Sequence, residues 1–363
     1  MQMVHPVQFF LSYKYNMPKY TIISGFNMTG KTVITDILKE FDGYNVPIHT
    51  SEFNLLRIQG GILDLYNALE EDWSPIRSDA AIRRFRKVFL KLGMNASFKK
   101  PISLFLANGA NYNQFFNGMF FKITNNYVNS LIDYSYDIEW PYLAIDESPF
   151  KQFFTRVQST FLKKKVFYRE VYGTDKKDFI KKTKNYLDEL FQTISTPNTK
   201  TFVMHNTIEP FNPTRGLNLF DDAKIIIVQR DPRDVYAANY VRDGAYVPTF
   251  EVKRHWELKM GLTGADKIDT FIKRQLAQYN RVKKNKDDDR VLRLRFEEIV
   301  INYEQTLQKI YNFLNIDSTV HSNKGKFFKP ELSKNNIGLW KMMGDNKEIK
   351  LIEKALPDYC YQQ

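Results

Sequence analysis

A single cysteine, Cys360, stands in a chain of 363 residues. That scarcity excludes a disulfide framework and a cysteine-ligated zinc site, and it suits a reducing compartment. The five histidines (His5, His49, His205, His255, His321) are scattered, with no pair at helix or turn spacing, which argues against a histidine-rich metal centre. Glycine (16) and proline (14) are sparse, so no repeat or low-complexity linker marks a domain boundary. No run reaches the roughly 18 apolar residues of a membrane span. The segment Met1–Tyr20 is aromatic but lacks the charged, apolar and small-residue order of a signal peptide. The expectation is a soluble cytoplasmic protein with no transmembrane segment and no metal.

What is present is apolar and basic. Hydrophobic residues make up 43% and charged residues 26%, a globular composition in a chain long enough to bury a core unaided. Lysine and arginine number 53 against 41 acids, a net charge of +12. This favours anionic partners: nucleic acid, a membrane, or phosphorylated and sulfated small molecules. Charge alone does not choose among them.

Five apolar runs read as buried strands of a parallel sheet: Tyr20–Ser24, Tyr44–Ile48, Tyr142–Ile145, Thr201–Met204 and Lys224–Val228. A sixth, Val291–Arg295, alternates. Helical stretches lie between them. Thr32–Phe41 follows the first strand, and Tyr303–Leu314 puts Tyr303, Leu307, Ile310, Phe313 and Leu314 on one face. Strands alternating with helices predict an α/β fold, an open parallel β-sheet flanked by helices. Two largely helical insertions, at about 62–135 and 150–198, are expected to cap the edge carrying the strands' C-terminal ends, where such folds bind ligands. Lys163, Lys164, Lys165, Lys176, Lys177, Lys181, Lys182 and Lys184 read as a solvated helix face, or as a track for an anionic acceptor.

The strongest local pattern is Gly25-Phe-Asn27-Met28-Thr29-Gly30-Lys31-Thr32, a complete phosphate loop between an apolar strand and a helix. Glycines let the backbone curl so that successive N–H groups point at an anion, and Lys31 adds a point charge. The Thr32 hydroxyl suits a phosphate or a metal. A nucleotide triphosphatase would also need a strand-end acid to hold Mg²⁺; Asp146-Glu147 fits that role, or caps the following segment.

A second anion site is written in Lys224-Ile-Ile-Ile-Val-Gln-Arg230-Asp-Pro-Arg-Asp234. Asp231 suits an N-cap, with Pro232 at the first helical position. Arg230 then sits at a strand end, placed to grip a phosphate with two hydrogen bonds or to pair with a carboxylate of the sheet edge. This segment resembles the 3′-phosphate-binding motif of the sulfotransferases that use PAPS, 3′-phosphoadenosine 5′-phosphosulfate. Leu292-Arg-Leu-Arg-Phe296-Glu297-Glu298-Ile299 and Ser333-Lys334-Asn-Asn-Ile-Gly338-Leu-Trp340-Lys341 resemble two further motifs of that family, and all stand in the family's order. The resemblance covers residues 20–60, 200–240 and 290–355. It implies a single P-loop-type sulfotransferase domain over 1–363. It also implies a nucleotide site formed by Gly25, Asn27, Met28, Thr29, Gly30, Lys31, Thr32, Arg230, Asn239, Lys334, Gly338, Trp340 and Lys341.

Several positions depart from the family pattern. Ala238 stands where many members have a phosphate-binding serine, with Asn239 next. Met28 replaces a basic residue. Asn335, tolerant of positive φ, replaces the first glycine of the C-terminal loop. His205-Asn206-Thr207 stands where Lys-x-Pro is common.

Sulfuryl transfer resembles phosphoryl transfer, with catalysis by positioning and charge stabilisation. Lys31 is placed to stabilise the leaving oxygen. Glu52, at the end of the second strand, resembles the catalytic glutamate of tyrosylprotein-type sulfotransferases; otherwise it caps the helix that follows. His49, His205, Asp146 and Glu147 are the other candidate bases, and Arg57 orients Glu52 or grips the acceptor. Trp340 stacks on the adenine or anchors its loop in the core. The expected activity is transfer of a sulfuryl group from PAPS to a hydroxyl acceptor, a carbohydrate or glycolipid. The alternatives are an ATP/Mg²⁺-dependent phosphate-loop kinase and a basic nucleic-acid-binding protein switched by nucleotide.

Overall fold

The computed structural model describes residues 19–26, 28–47, 52–95, 110–140, 148–162, 168–175, 178–241 and 266–362. Five strands form a parallel sheet: β1 (Lys19–Gly25), β2 (Tyr44–Asn45), β5 (Thr201–His205), β6 (Ala223–Gln229) and β7 (Val291–Arg295), in the order β2-β5-β1-β6-β7. The runs Tyr20–Ser24, Thr201–Met204, Lys224–Val228 and Val291–Arg295 are strands of this sheet, and Tyr44 opens a short edge strand. The expected strand Tyr142–Ile145 lies outside the described residues.

The central runs are apolar throughout because both faces of the sheet are covered. Successive side chains on a strand point to opposite faces. Tyr20, Ile22, Phe202, Met204, Ile225 and Ile227 therefore enter one core, under the helices Pro75–Gly93, Phe120–Ser130 and Phe179–Gln192. Ile23, Val203, Ile226 and Val228 enter the other. There they meet Ile34, Ile37 and Leu38 of the helix Thr32–Leu38, together with Leu307, Ile310 and Leu314 of the helix Tyr303–Leu314. Each fully buried isoleucine contributes about 1.5–3 kcal/mol relative to an exposed one. On Tyr303–Leu314 the buried aromatic is Tyr311, with Phe313 and Tyr303 only half-buried, so the expected face is rotated slightly. The rotation lets the Tyr311 hydroxyl reach the ring of His321 at 2.6 Å.

The insertions are less purely helical than their composition suggests. Tyr168–Gly173 (β4), where helix was expected at 150–198, is a strand and pairs antiparallel with Tyr134–Glu139 (β3). Aromatic and β-branched residues at alternate positions favour the strand. The buried Asp79 carboxylate, on the helix Pro75–Gly93, holds the pair in place. It accepts from the Tyr172 N–H at 3.0 Å and from the guanidinium groups of Arg83 and Arg169. Among the lysines of the basic segment, Lys182 pairs with Asp178 and Lys184 with Asp221. Lys163–Lys165, Lys176 and Lys177 lie outside the described residues.

Behind the phosphate loop, the fully buried Glu40 follows the helix Thr32–Leu38. Its carboxylate accepts from the N–H groups of Gly325 (3.0 Å), Phe327 (2.6 Å) and Phe328 (2.8 Å) and faces His321 Nε2 at 2.6 Å. Burial alone would raise its pKa, but the Phe328 N–H, His321 and the other two amides outweigh that and hold it below its ordinary value. A carboxyl with a depressed folded pKa stabilises the fold fully above its unfolded pKa and loses that contribution as pH falls through the folded value. Glu40→Ala strands three amides and should cost about 3–5 kcal/mol. In urea melts the parent should lose stability between about pH 5 and 3, and Glu40→Gln should lose less over that range.

Candidate active site

The C-terminal ends of β1, β5 and β6 meet at one edge, with β1 between the other two. The phosphate loop leaves β1 at Gly25, whose register partner is Val228. A Cβ at Gly25 would lie 2.5 Å from the Val228 carbonyl oxygen and 2.7 Å from Thr29 Oγ1, so only glycine lets the loop lie this close. Gly30 has φ +76, and a Cβ there would meet the Phe296 ring at 2.5 Å. Met28 takes a left-handed φ of 59. Buried Thr29 donates to the Phe26 carbonyl at 3.0 Å, as does Lys31 Nζ at 3.2 Å, while Thr32 is exposed. Asn27 lies outside the described residues. Burial lowers the Lys31 pKa, opposed by the field of Glu52 and reinforced by that of Arg57; Lys31 thus shares its surroundings with the carboxylate.

Arg230 follows β6 and is 7% exposed. Its guanidinium donates to Met28 O at 3.1 Å and to Asn336 O, and it lies 5.0 Å from the Phe296 ring centroid. It thereby joins the phosphate loop to the C-terminal loop. Next to it, Asp231 caps the helix Pro232–Val241 by accepting from the Arg233 N–H at 2.8 Å. Its own N–H donates to buried Glu297 at 2.8 Å. Asp234 accepts from the N–H groups of Gly338 at 2.8 Å and Trp340 at 3.2 Å. Burial raises the Asp234 pKa against the pull of these amides and of Arg230. Gly338 has φ 74, whereas Asn335 is ordinary right-handed backbone at φ −68, so the left-handed turn falls on Gly338 and Asn335 is not asked to replace a glycine.

Trp340 is half-buried against a cluster that includes Phe26, Val235 and Tyr236, under the Arg233 guanidinium at 4.3 Å. Packing therefore anchors the loop. Lys334 and Lys341 are exposed. Ala238 is buried, and Asn239 lies on the same helix.

At the β5 edge Glu52 makes an isolated parallel bridge to His205. Its Oε1 accepts from Asn206 Nδ2 at 2.6 Å and lies 3.5 Å from His205 Nδ1. Hydrogen bonding to His205, then to Asn206, with the charge of Arg57, outweighs burial and holds the Glu52 pKa at about 2. Its side chain is 45% exposed. The Glu52 carbonyl accepts from the Tyr112 hydroxyl at 2.8 Å. Arg57 is turned to Glu209 (2.6 Å) and Asn54 (3.0 Å). His49, Asp146 and Glu147 lie outside the described residues.

Sequence reasoning missed Arg233, Glu297, Asn206 and Tyr112. Arg233 and Glu297 stand inside motifs already singled out, so their nearness was visible there. The two contacts of Glu52 with Asn206 and Tyr112 carried no local signal. A cavity of about 410 Å³ opens beside Trp340 and Cys360, lined by the acids Asp231, Asp234, Glu297 and Glu353 and by the cations Arg233 and Lys341.

Residues 173–320, from the end of β4 past β7, match the sulfotransferase family. That stretch, about two fifths of the chain, is similar to sulfotransferases. The matched stretch contains Arg230, Asp231 and His205; the phosphate loop and Glu52 precede it. No curated protein matches the chain. Three solved structures align loosely. One is a sulfotransferase domain from the curacin biosynthetic pathway, at 15% identity and TM-score 0.39, covering 94% of this chain and 98% of that one. Another is sulfotransferase STF9 from Mycobacterium avium, at 15% identity and TM-score 0.37, covering 95% and 76%. The third is retinol dehydratase in complex with androsterone and inactive cofactor PAP, at 15% identity and TM-score 0.32, covering 95% and 82%.

The Asp234 carboxylate holds the C-terminal loop to the Arg230 motif. Asp234→Ala should speed hydrogen exchange at the Gly338 and Trp340 amides and cost about 1–3 kcal/mol. Asp234→Asn, which keeps one acceptor oxygen, should restore part of the protection. Unchanged exchange at both amides in Asp234→Ala would show that the loop is held by other contacts.

Proposed function

We propose that this protein is a single-domain sulfotransferase that takes PAPS as donor and moves its sulfuryl group to a hydroxyl on a carbohydrate or glycolipid. The observation that carries the reading is the place of Arg230. Its buried guanidinium bridges the phosphate loop and the C-terminal loop, beside the strand end where a nucleotide's phosphates would lie. A nucleoside triphosphate has no group for such a site; a nucleotide with a phosphate on the ribose does. The glycine-built loop and Lys31 suit the 5′ end of the same molecule.

The step is a displacement at sulfur. The acceptor oxygen forms a bond to sulfur, the bond from sulfur to the 5′-phosphate oxygen breaks with its electron pair, and the acceptor proton leaves to a base. Lys31, half-buried beside the loop, suits the charge that grows on the leaving oxygen. Glu52 suits the proton. One of its oxygens is held by Asn206 and His205, and its side chain is half open to solvent. A carboxylate with a pKa of about 2 is a weak base. In a loose transition state of the phosphoryl-transfer type, where a kinase aspartate takes the hydroxyl proton, a weak base is enough. His205 and Asn206 are then positioning residues that keep Glu52 ionised and aimed. The basic surface and the insertions beside the sheet support a sugar-bearing acceptor.

Two measurements test this. The parent should bind 3′-phosphoadenosine 5′-phosphate much more tightly than AMP without Mg²⁺, and Arg230→Ala should weaken the bisphosphate about 10- to 100-fold while hardly changing AMP. Equal affinity for the two nucleotides, or tighter Mg²⁺-dependent binding of ATP, would overturn the donor. Glu52→Gln should lower turnover by about 10²- to 10⁴-fold with nucleotide affinity intact. Because Glu52 stays ionised far below neutral pH, the parent's turnover should show no acid limb between about pH 5 and 8. Turnover of Glu52→Gln within a few-fold of the parent would move the proton to another group.

A further inference from the structure

Large apolar side chains exposed singly are ordinary on a protein surface; their concentration in one stretch is not. Of the sixteen large hydrophobic residues most exposed among those described, seven fall between positions 134 and 161. Four lie on the helix Pro149–Leu162: Phe150 at 73% exposure, Phe153 at 63%, Phe154 at 49% and Phe161 at 81%. Their spacing of three, four and eleven residues from Phe150 places them within one stripe of an α-helix, roughly 100° wide. Phe150 and Phe153 both touch Phe154, with ring centroids 4.7 Å and 6.0 Å away, so the stripe is continuous at its N-terminal end. Val157 falls in the same stripe.

The rest of the helix is the counterpart of this stripe. Its sequence, Pro-Phe-Lys-Gln-Phe-Phe-Thr-Arg-Val-Gln-Ser-Thr-Phe-Leu, contains Lys151 and Arg156 and no acid. The next three residues in the chain are lysines, and the whole chain carries +12. On β3 the alternate positions Tyr134, Tyr136 and Ile138, 40–50% exposed, add a second apolar row. An aromatic stripe on a helix without acids, in a basic protein, has the chemistry of an interfacial helix. Such helices lie in the headgroup plane, with apolar side chains in the acyl boundary and cations among anionic headgroups.

We propose that the helix Pro149–Leu162 docks the enzyme on an anionic lipid bilayer through Phe150, Phe153, Phe154 and Phe161. No helix among the described residues is long and apolar enough to cross a membrane, and docking of this kind needs none. The charge argues for a lipid surface over a second copy of the chain, since two such basic helices would repel each other. The inference does not depend on the donor or the acceptor proposed above.

The test is flotation of the full chain with vesicles of phosphatidylcholine alone and of phosphatidylcholine mixed with phosphatidylglycerol. The chain should float with the mixed vesicles, much less with phosphatidylcholine, and should be released by salt. The triple variant Phe150→Ser/Phe154→Ser/Phe161→Ser should partition about tenfold or more less well, because binding scales with the apolar area inserted. Its thermal unfolding should match the parent's, since the three side chains are exposed. Phe161→Ser alone, at the most exposed position, should show part of the loss. Failure of the parent to float with the mixed vesicles, or equal flotation of the triple variant, would overturn the proposal. So would a parent dimer that the triple variant converts to monomer with no vesicle binding, which would make the stripe a contact between copies.

Discussion

β1 hydrogen-bonds in parallel to β5 on one side and β6 on the other, and the site depends on that pairing. Parallel register brings three strand ends to the same edge. The phosphate loop then leaves the middle strand, Glu52 and His205 stand at one neighbour, and Arg230 follows the other. Residues more than 150 positions apart in the chain become neighbours because the parallel ladder brings these strand ends to one edge. The close approach of Gly25 to Val228 is a direct consequence, since a side chain there would force β1 and β6 apart.

Charge is arranged around this edge in two different ways. On the β6 side, carboxylates act as acceptors for backbone. Asp234 takes two amides of the C-terminal loop and Asp231 caps its own helix, leaving Arg230 to join loop to loop through carbonyls. On the β5 side Glu52 keeps much of its side chain in solvent while Asn206 and His205 hold one oxygen. The first arrangement fixes geometry, and the second leaves a lone pair open. Glu40, behind the phosphate loop, belongs to the first kind: all its acceptor capacity is spent on amides and His321, and it holds the segment around Phe328 against the loop's helix.

The surface away from the edge is divided in the same spirit. Lys182 and Lys184 of the basic segment are paired with acids, so net charge there is partly neutralised. The helix Pro149–Leu162 has no acid of its own and leaves its phenylalanines exposed.

Local patterns in the sequence specify four strands of the parallel sheet, Tyr20–Ser24, Thr201–Met204, Lys224–Val228 and Val291–Arg295, and the glycine loop after the first. A buried strand is a short apolar run, a phosphate loop is glycines and a lysine between strand and helix, and Asp231-Pro232 opens a helix wherever it falls. Gly25, Lys31 and Arg230 were legible for that reason. The pairing β3–β4 was not, because Tyr134–Glu139 and Tyr168–Gly173 stabilise each other across a gap in the chain, with Asp79 as their anchor. Nor was the turning of Arg57 toward Glu209, the hold of Asn206 on Glu52, or the stacking of Arg233 on Trp340. Those contacts join residues that have no mutual signal in sequence. Only the packing of the folded chain decides which carboxylate a guanidinium can reach, because the energy of an ion pair or hydrogen bond depends on ångström-scale distance and not on separation along the chain.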